Sequence, residues 1–398
     1  MLKQGALKGV RVLDLTRVLA GPYSTMIMAD LGAEVIKLEI PGKGDDTRQF
    51  GPFIGKESSY FMNLNRNKKG ITLNLKSEKG KDLFRKMVKE SDVVIENFRP
   101  GTMEKLGLGY EDLKEINPGL VYGCISGFGH YGRYTERAGY DIIAQAMGGL
   151  MSTTGWPGGE PTRTGTAMGD VLAGLSLTIG VLAAINSKRN TGVGQKVDVA
   201  LVDSVVSSLE IINQIYLVEG RNPERIGNRY ESVYPYDSFK CKDGSMVIGC
   251  GNDKLWGKLC NTMKMPELIE DERYDKNFKR VKNNVDVKFI VEKWTQTLNA
   301  DEIVELLLAN GIPAAPINTI ERVVKDPHIS GDREMFVDLK HPIAGDMKVT
   351  GQHIKLSETK AEIKTPAPLL GQHNYEVFGD VFDLTEEEIL MLENEKII

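Results

Sequence analysis

Short apolar runs rich in β-branched residues exchange with longer amphipathic stretches through the first half of the chain, the pattern of strands alternating with helices. Val10–Leu15 (VRVLDL) reads as a strand. A helix opens after it near Gly21-Pro22, where proline's missing N–H costs nothing. Glu34–Glu39 (EVIKLE) is a second strand, and this spacing is that of a parallel βαβ unit. The alternation resumes with a strand at Ile71–Leu75, a helix from about Ser77 to Glu90, and strands at Asp92–Ile95, Leu120–Ser126 and Gln195–Val199. A long helix is predicted over Leu201–Val218. Between them, Pro41–Asn65 is a long polar interruption containing GKGDDTR, a length typical of functional or disordered loops, and its Arg48 is a candidate phosphate contact.

The second half is patterned differently. GRNPERIGNRYESVYPYDSF is turn-rich and reads as a linker. It leads to a hairpin over Ser238–Ile248 with Asp243-Gly244 at its turn, a GCGND loop, and helices from Asp253, over Val285–Leu298 and over Asp301–Ala309, the last capped by Asn299 and stopped by Gly311. A final amphipathic helix begins near Thr385 and ends by Asn394. The predicted fold is α/β: a doubly wound, Rossmann-like large domain over residues 1–218, completed by about 360–398, a linker over 219–235, and a smaller α+β domain over 236–350.

One stretch combines structure with chemistry. TGTAMGDVLAGLSLTIGVLAAI, residues 164–185, is a small-residue turn that brings Asp170 to the start of a helix apolar on all sides. A carboxylate there meets unpaired N–H groups and the positive end of the helix dipole, so it is expected to stay ionised where water is scarce. An ionised, poorly solvated carboxylate is a usable nucleophile, although a plain N-cap is the commoner role.

Composition narrows the classes. With 398 residues, 41% hydrophobic, 26% charged and a net charge of -5, the chain is globular and has no electrostatic footprint for nucleic acid. Cys124, Cys241, Cys250 and Cys260 have no metal-ligand spacing, so no structural metal and a reducing compartment are expected. The N-terminal stretch lacks a signal-peptide core, and Val171–Ile185 is shorter than the ~20 residues that span a bilayer. The expectation is a soluble cytoplasmic protein. Neither GxGxxG nor a P-loop follows a strand, which disfavours a nicotinamide enzyme. Instead Asn97-Phe98-Arg99-Pro100-Gly101 follows a strand where open α/β sheets bind ligands. Asn97 offers a donor and an acceptor, Phe98 a flat face for a base, and Lys105 a charge for a phosphate, while a Gly-rich loop brings Arg137 and Tyr140 beside the same crevice.

Together these stretches resemble the class III coenzyme A transferases, the CaiB/BaiF family that includes formyl-CoA and carnitine CoA transferases. The likeness spans nearly the whole chain and is carried by VLDLTRVLAGPYSTMIMADLGAEVIKLE, GDDTR, ENFRPGTMEKLGLGYEDLKEINPGLVYGCISGFG, TGTAMGDVLAG, TGVGQKVDVALVDS, GIPAAPI and PLLGQHN. It implies that Asp170 attacks an acyl-CoA thioester to give a mixed anhydride. The released CoA thiolate then forms an aspartyl-CoA thioester, and a carboxylic acid acceptor reverses the sequence. CoA enters as a thioester substrate, with no permanently bound cofactor. The implied CoA pocket falls on Val18, Leu19, Ala20, Ile40, Leu73, Asn74, Leu75, Lys76, Asn97, Phe98, Arg99, Lys105, Ala138 and Tyr140.

Several positions depart from the family pattern. Leu19 replaces a Gln of the formyl-transferring members, Ile40 and Lys105 replace arginines, and Ala138 replaces a lysine, leaving Lys105, Arg137 and Arg48 to meet the phosphates. The glycine-rich flap of the oxalate branch is absent, so a larger, less polar acyl group than oxalyl or formyl is expected. The resemblance also implies an interlocked homodimer, with GCGND and Tyr230–Tyr236 as candidates for acyl selection. α-Methylacyl-CoA racemases share the architecture but need a His base where Tyr140 stands, a phenol poorly suited to proton abstraction at neutral pH. His130, nearest in sequence, is a weak substitute. A nonenzymatic acyl-CoA binder would not need Asp170.

Overall fold

The computed structural model describes residues 5–398. Six strands form its main sheet: β1 (Arg11–Asp14), β2 (Glu34–Glu39), β3 (Lys69–Thr72), β4 (Val93–Glu96), β5 (Val121–Ser126) and β6 (Lys196–Ala200). All pair in parallel, in the order β3-β2-β1-β4-β5-β6. The direction of winding reverses between β1 and β4, so the crevice beyond their C-terminal ends is where a doubly wound sheet receives a ligand. Successive residues of β1 enter different cores, as the period of two requires: Val12 packs with Ile27, Leu177 and Val181 on one face, Leu13 with Ile36, Phe84 and Phe378 on the other.

Helices cover both faces. α1 (Ala20–Asp30) and α2 (Glu78–Lys89) follow β1 and β3, and α3 (Asp141–Met147), α4 (Met168–Thr191) and α5 (Leu201–Ser208) lie in the β5–β6 crossover and beyond it. α4 packs on α1 and β5. A Cβ on Gly174 would come within 2.6 Å of the Ala20 carbonyl oxygen, so only glycine lets α4 approach the start of α1 this closely. At 24 residues α4 is long and apolar enough to cross a bilayer, which overturns the length argument from Val171–Ile185. Its inner face, including Ala173, Leu177, Val181 and Ala184, is buried in the sheet core.

Other expectations change. The helix predicted over Leu201–Val218 divides into α5 and a helix over Ile211–Glu219 bent by 76°, with Glu210 in left-handed backbone at the break. The Pro41–Asn65 segment is ordered, holding a 3₁₀ turn at Asp46–Gln49 and a helix at Ser59–Leu64 capped by Ser58. Two compact units are present: residues 1–150, 163–219 and 327–398 form one, and 151–162 with 220–326 the other. The predicted small-domain boundary at 350 is therefore displaced. The hairpin Phe336–His341/Gly345–Thr350 belongs to the first unit because Met347 and Val349 pack on Phe61 and Met62. The second unit holds a three-stranded antiparallel sheet around Trp256, Phe239 and Tyr274, and contains the predicted hairpin. Within it Asn252 of GCGND caps the helix Asp253–Thr262 through the Leu255 N–H, and Tyr230 packs against Tyr236 at 5.6 Å.

Candidate active site

The turn after β1 carries the first wall of the site. Val18 is β-branched yet sits at φ +67°, a left-handed conformation that costs on the order of 1–3 kcal/mol and must be held by its surroundings. Asn97, just past β4, holds it: the Arg17 N–H donates to Asn97 Oδ1 (2.8 Å), and Asn97 Nδ2 donates to the Arg17 carbonyl (2.7 Å). The Val18 N–H donates to Asp45 Oδ1 at 3.3 Å. Asn97 therefore spends its donor and acceptor on the chain itself, correcting the expectation that both face the ligand.

Two cavities meet at Arg17 and Phe98, which line both. The larger, 600 Å³, runs past Ile40, Leu73, Asn74, Leu75, Lys76 and Phe98, and the C-terminal turn adds Lys396. The smaller, 230 Å³, is bounded by Val18, Leu19, Ala20, Asn97, Arg99, Arg137, Ala138, Tyr140, Ser126 and Asp170. Every expected pocket residue except Lys105 thus lines one cavity or the other. Lys105 is exposed on the helix Thr102–Lys105 and lines neither. Arg48 is also misassigned as a phosphate contact: it makes two 2.7 Å hydrogen bonds to the Glu39 carboxylate and lies over the Phe61 ring. Arg137 stacks on Tyr134 at 3.7 Å, and Tyr140 is 73% exposed.

Asp170 sits in the first turn of α4, not at its cap; Ala167 occupies that position and offers no side-chain bond. The amide expected to steady Asp170 is given to another residue. Asp141, in the first turn of α3, accepts the Gly169 N–H on Oδ1 (2.8 Å) and the buried Gln145 Nε2 on Oδ2 (2.8 Å). Gln145 Oε1 in turn accepts the Thr164 N–H and hydroxyl at 3.0 and 3.2 Å. This chain of bonds pins the turn before α4. Asp170 takes no hydrogen bond from any described residue. Burial, and then the Asp141 carboxylate beside it, push its carboxyl up to about 7. Burial and a like charge thus work against the ionised form that the helix start was expected to favour.

The loops bring these groups together by close backbone contact. A Cβ on Gly127 would lie 2.5 Å from the Gly139 Cα, so the strand end at Ser126 and the Arg137–Tyr140 turn touch at two glycines. Arg17, Ser126, Asp141 and Gln145 were not assigned from sequence. No spacing links 141 to 169 or 17 to 97, and the one local signal was an acid in the first turn of a helix after a Gly-rich loop. The Arg17 guanidinium lies over Phe98 at 5.4 Å and reaches Asp46 at 3.3 Å, with its Nε buried and unpartnered. His130 lies elsewhere, 3.7 Å from buried Glu96 and 3.1 Å from the Lys196 ammonium, and does not line the Asp170 cavity. Burial pushes the Glu96 carboxyl up to about 8.

Comparison with known proteins agrees with this geometry. A model of CoA-transferase family III matches residues 7–374. The chain is 40% identical to human succinyl-CoA:glutarate CoA-transferase, over 96% of this chain and 87% of that protein. It is 41% identical to succinyl-CoA:mesaconate CoA-transferase from Haloarcula marismortui, over 94% and 96% of the two chains. A crystal structure of a CaiB/BaiF family protein from Brucella suis superposes with a TM-score of 0.84 at 39% identity, covering 95% of this chain and all of that one. A matching family over nearly the whole length, on a parallel sheet with a half-buried carboxylate lining the cavity beyond it, makes this chain a member of CoA-transferase family III and an enzyme that acts on CoA thioesters.

Proposed function

We propose that Asp170 is the covalent nucleophile of a CoA transfer between an acyl-CoA donor and a free carboxylic acid. The observation that carries this is its carboxylate, which lines the cavity, accepts no hydrogen bond from any described residue and stands beside a second carboxylate. A group so placed is desolvated and reactive once ionised. One of its oxygens adds to the thioester carbonyl, the carbonyl π pair moves to oxygen, and collapse expels the CoA thiolate to leave the mixed anhydride. Attack of the thiolate at the Asp170 carbonyl releases the donor acid and leaves the aspartyl-CoA thioester, from which the acceptor acid regenerates an acyl-CoA. The nucleotide end of CoA occupies the larger cavity, where Arg17, Lys76 and Lys396 bring positive charge to its phosphates. CoA is then a substrate, not a resident cofactor.

Short dicarboxylic acids are the proposed acids, with succinyl-CoA as the donor. Support comes from the relatives' names, glutarate and mesaconate transferases, and from Arg137 and Arg99 on the Asp170 cavity, suited to a distal carboxylate. The Leu19 side chain gives the same cavity an apolar wall for the methylene chain. A homodimer is proposed too: Ile179, Leu217 and Val218 of the first unit are 68%, 71% and 78% exposed, apolar surface that a second copy would cover. Light scattering at a dimer mass tests it.

Intact-protein mass spectrometry with a panel of acyl-CoAs, then hydroxylamine trapping and peptide mapping, tests the nucleophile. A CoA or hydroxamate adduct on the Asp170 peptide is expected with succinyl-CoA. No adduct, together with exchange of the acyl α-proton into deuterated solvent, would replace this reading with a racemase.

A further inference from the structure

Ser126 ends β5 in a way that its strand position does not require. Its backbone pairs with Ala200 of β6, and the residue lines the Asp170 cavity. The residue is only 8% exposed, and its Oγ is shut off from solvent with no hydrogen-bond partner among the described residues. A hydroxyl buried in this state is destabilising, a cost that folding alone would remove by placing alanine there. Its neighbours fix it in place. Gly127 is pressed against Gly139, and the Gly127 carbonyl accepts the Val202 N–H at 3.2 Å. Leu19 lines the same cavity, and its side chain has nothing to donate.

We propose that Ser126 is a catalytic residue of the acyl transfer, a hydrogen-bond donor to the oxygen that becomes negative when Asp170 attacks the thioester. This rests on Asp170 being the nucleophile. The unpartnered hydroxyl is the observation that carries the assignment, since rotation about one bond among three staggered wells re-aims its O–H without moving the chain. In the step, the Asp170 oxygen forms a C–O bond to the carbonyl carbon and the π pair becomes an oxyanion. That oxyanion accepts the Ser126 O–H as a hydrogen bond, and no proton is transferred. On collapse the C=O re-forms, the C–S bond breaks, the thiolate leaves with its electron pair, and Ser126 is released. The same donor serves the last addition, in which the CoA thiolate attacks the acceptor acyl carbonyl of the second anhydride, the charge again develops on the acyl oxygen, and collapse returns the Asp170 carboxylate. A donor aimed at charge that exists only in the transition state lowers the barrier without tightening the bound substrate.

The test is Ser126→Ala, with Ser126→Thr as a hydroxyl-retaining control. Adduct formation on Asp170 is followed by rapid-quench mass spectrometry, alongside kcat, KM and thermal unfolding. In Ser126→Ala, kcat and the rate of adduct formation are expected to fall together by roughly 10- to 1000-fold. KM stays within about threefold, and thermal stability is equal to or above that of the wild type. Ser126→Thr retains most of the rate. Wild-type adduct kinetics in Ser126→Ala would overturn the proposal, as would a loss confined to KM. An equal loss in both variants, with lowered stability, would assign Ser126 a packing role instead. Failure of the underlying reading is distinguishable, because the wild type itself would then carry no adduct on Asp170.

Discussion

Two sets of buried charges lie in the first unit, and they are treated in opposite ways. Under the turn after β1, Lys68 Nζ donates to Asp14 Oδ2 (3.0 Å), Thr25 Oγ1 (2.8 Å) and Asn65 Oδ1 (2.9 Å), while Lys37 reaches Asp45 at 3.0 Å and the Thr16 carbonyl at 2.8 Å. Burial drives the Asp14 carboxyl up, but the Lys68 and Lys37 ammonium groups and the Thr16 and Thr25 hydroxyls outweigh it, and the net position is about 2. Asp170 is half-buried beside a like charge and ends near 7. Where a buried carboxylate is given cations and donors, it holds the chain together. Where it is denied them, it keeps its reactivity at the expense of stability.

Breaking the reactive side has the largest expected effect. Asp170→Ala should lower turnover by about 10⁴-fold or more in a steady-state transfer assay, with the protein still folded. Lys68→Met breaks the structural side. It removes the ammonium paired with Asp14, whose exposure is 0%, and should cost about 3–5 kcal/mol in a denaturant titration, far more than any surface lysine.

Proton linkage sharpens the contrast, because the two carboxylates move stability in opposite pH windows. The native-state pKa of Asp170 is raised, so between about pH 4 and 7 the folded protein holds a proton that the unfolded chain has lost, and stability declines as pH rises through that range. Asp170→Asn should therefore gain about 1–3 kcal/mol over the wild type at pH 8, a gain that shrinks toward pH 4 in thermal or denaturant unfolding. For Asp14 the native pKa is depressed, so its stabilisation is full above about pH 4 and is lost as pH falls toward 2. The smallest effect belongs to Asp141→Asn. Removing the like charge should carry the acid limb of kcat/KM, set by ionisation of Asp170, to lower pH by up to roughly one unit. An unmoved limb would leave burial alone as the cause of the raised pKa.

Much of this was legible in the chain. VRVLDL, EVIKLE and their successors announced parallel strands through β-branched content and spacing, and a switch point follows once such strands are wound on both faces. Asp170 stood out as an acid at the head of an apolar helix, and local sequence carries such a signal because a helix start is a local event. Arg48 departs from its expected role for the converse reason. A positive side chain advertises charge but not which carboxylate will claim it, and Glu39 claims Arg48 from nine residues away.

The sequence by itself determined the alternation of elements, the two-part organisation, the family, and the carboxylate proposed as its nucleophile. Tertiary structure decided the state of that carboxylate. Asp141 takes the Gly169 amide across 28 residues, Asn97 clamps Arg17 across 80, and Ser126 is left with a hydroxyl that meets nothing. Each of these is a contact, or a missing contact, between segments that only folding makes neighbours. Periodicity records which face of an element is buried, but not what partner waits for a polar group once it is there.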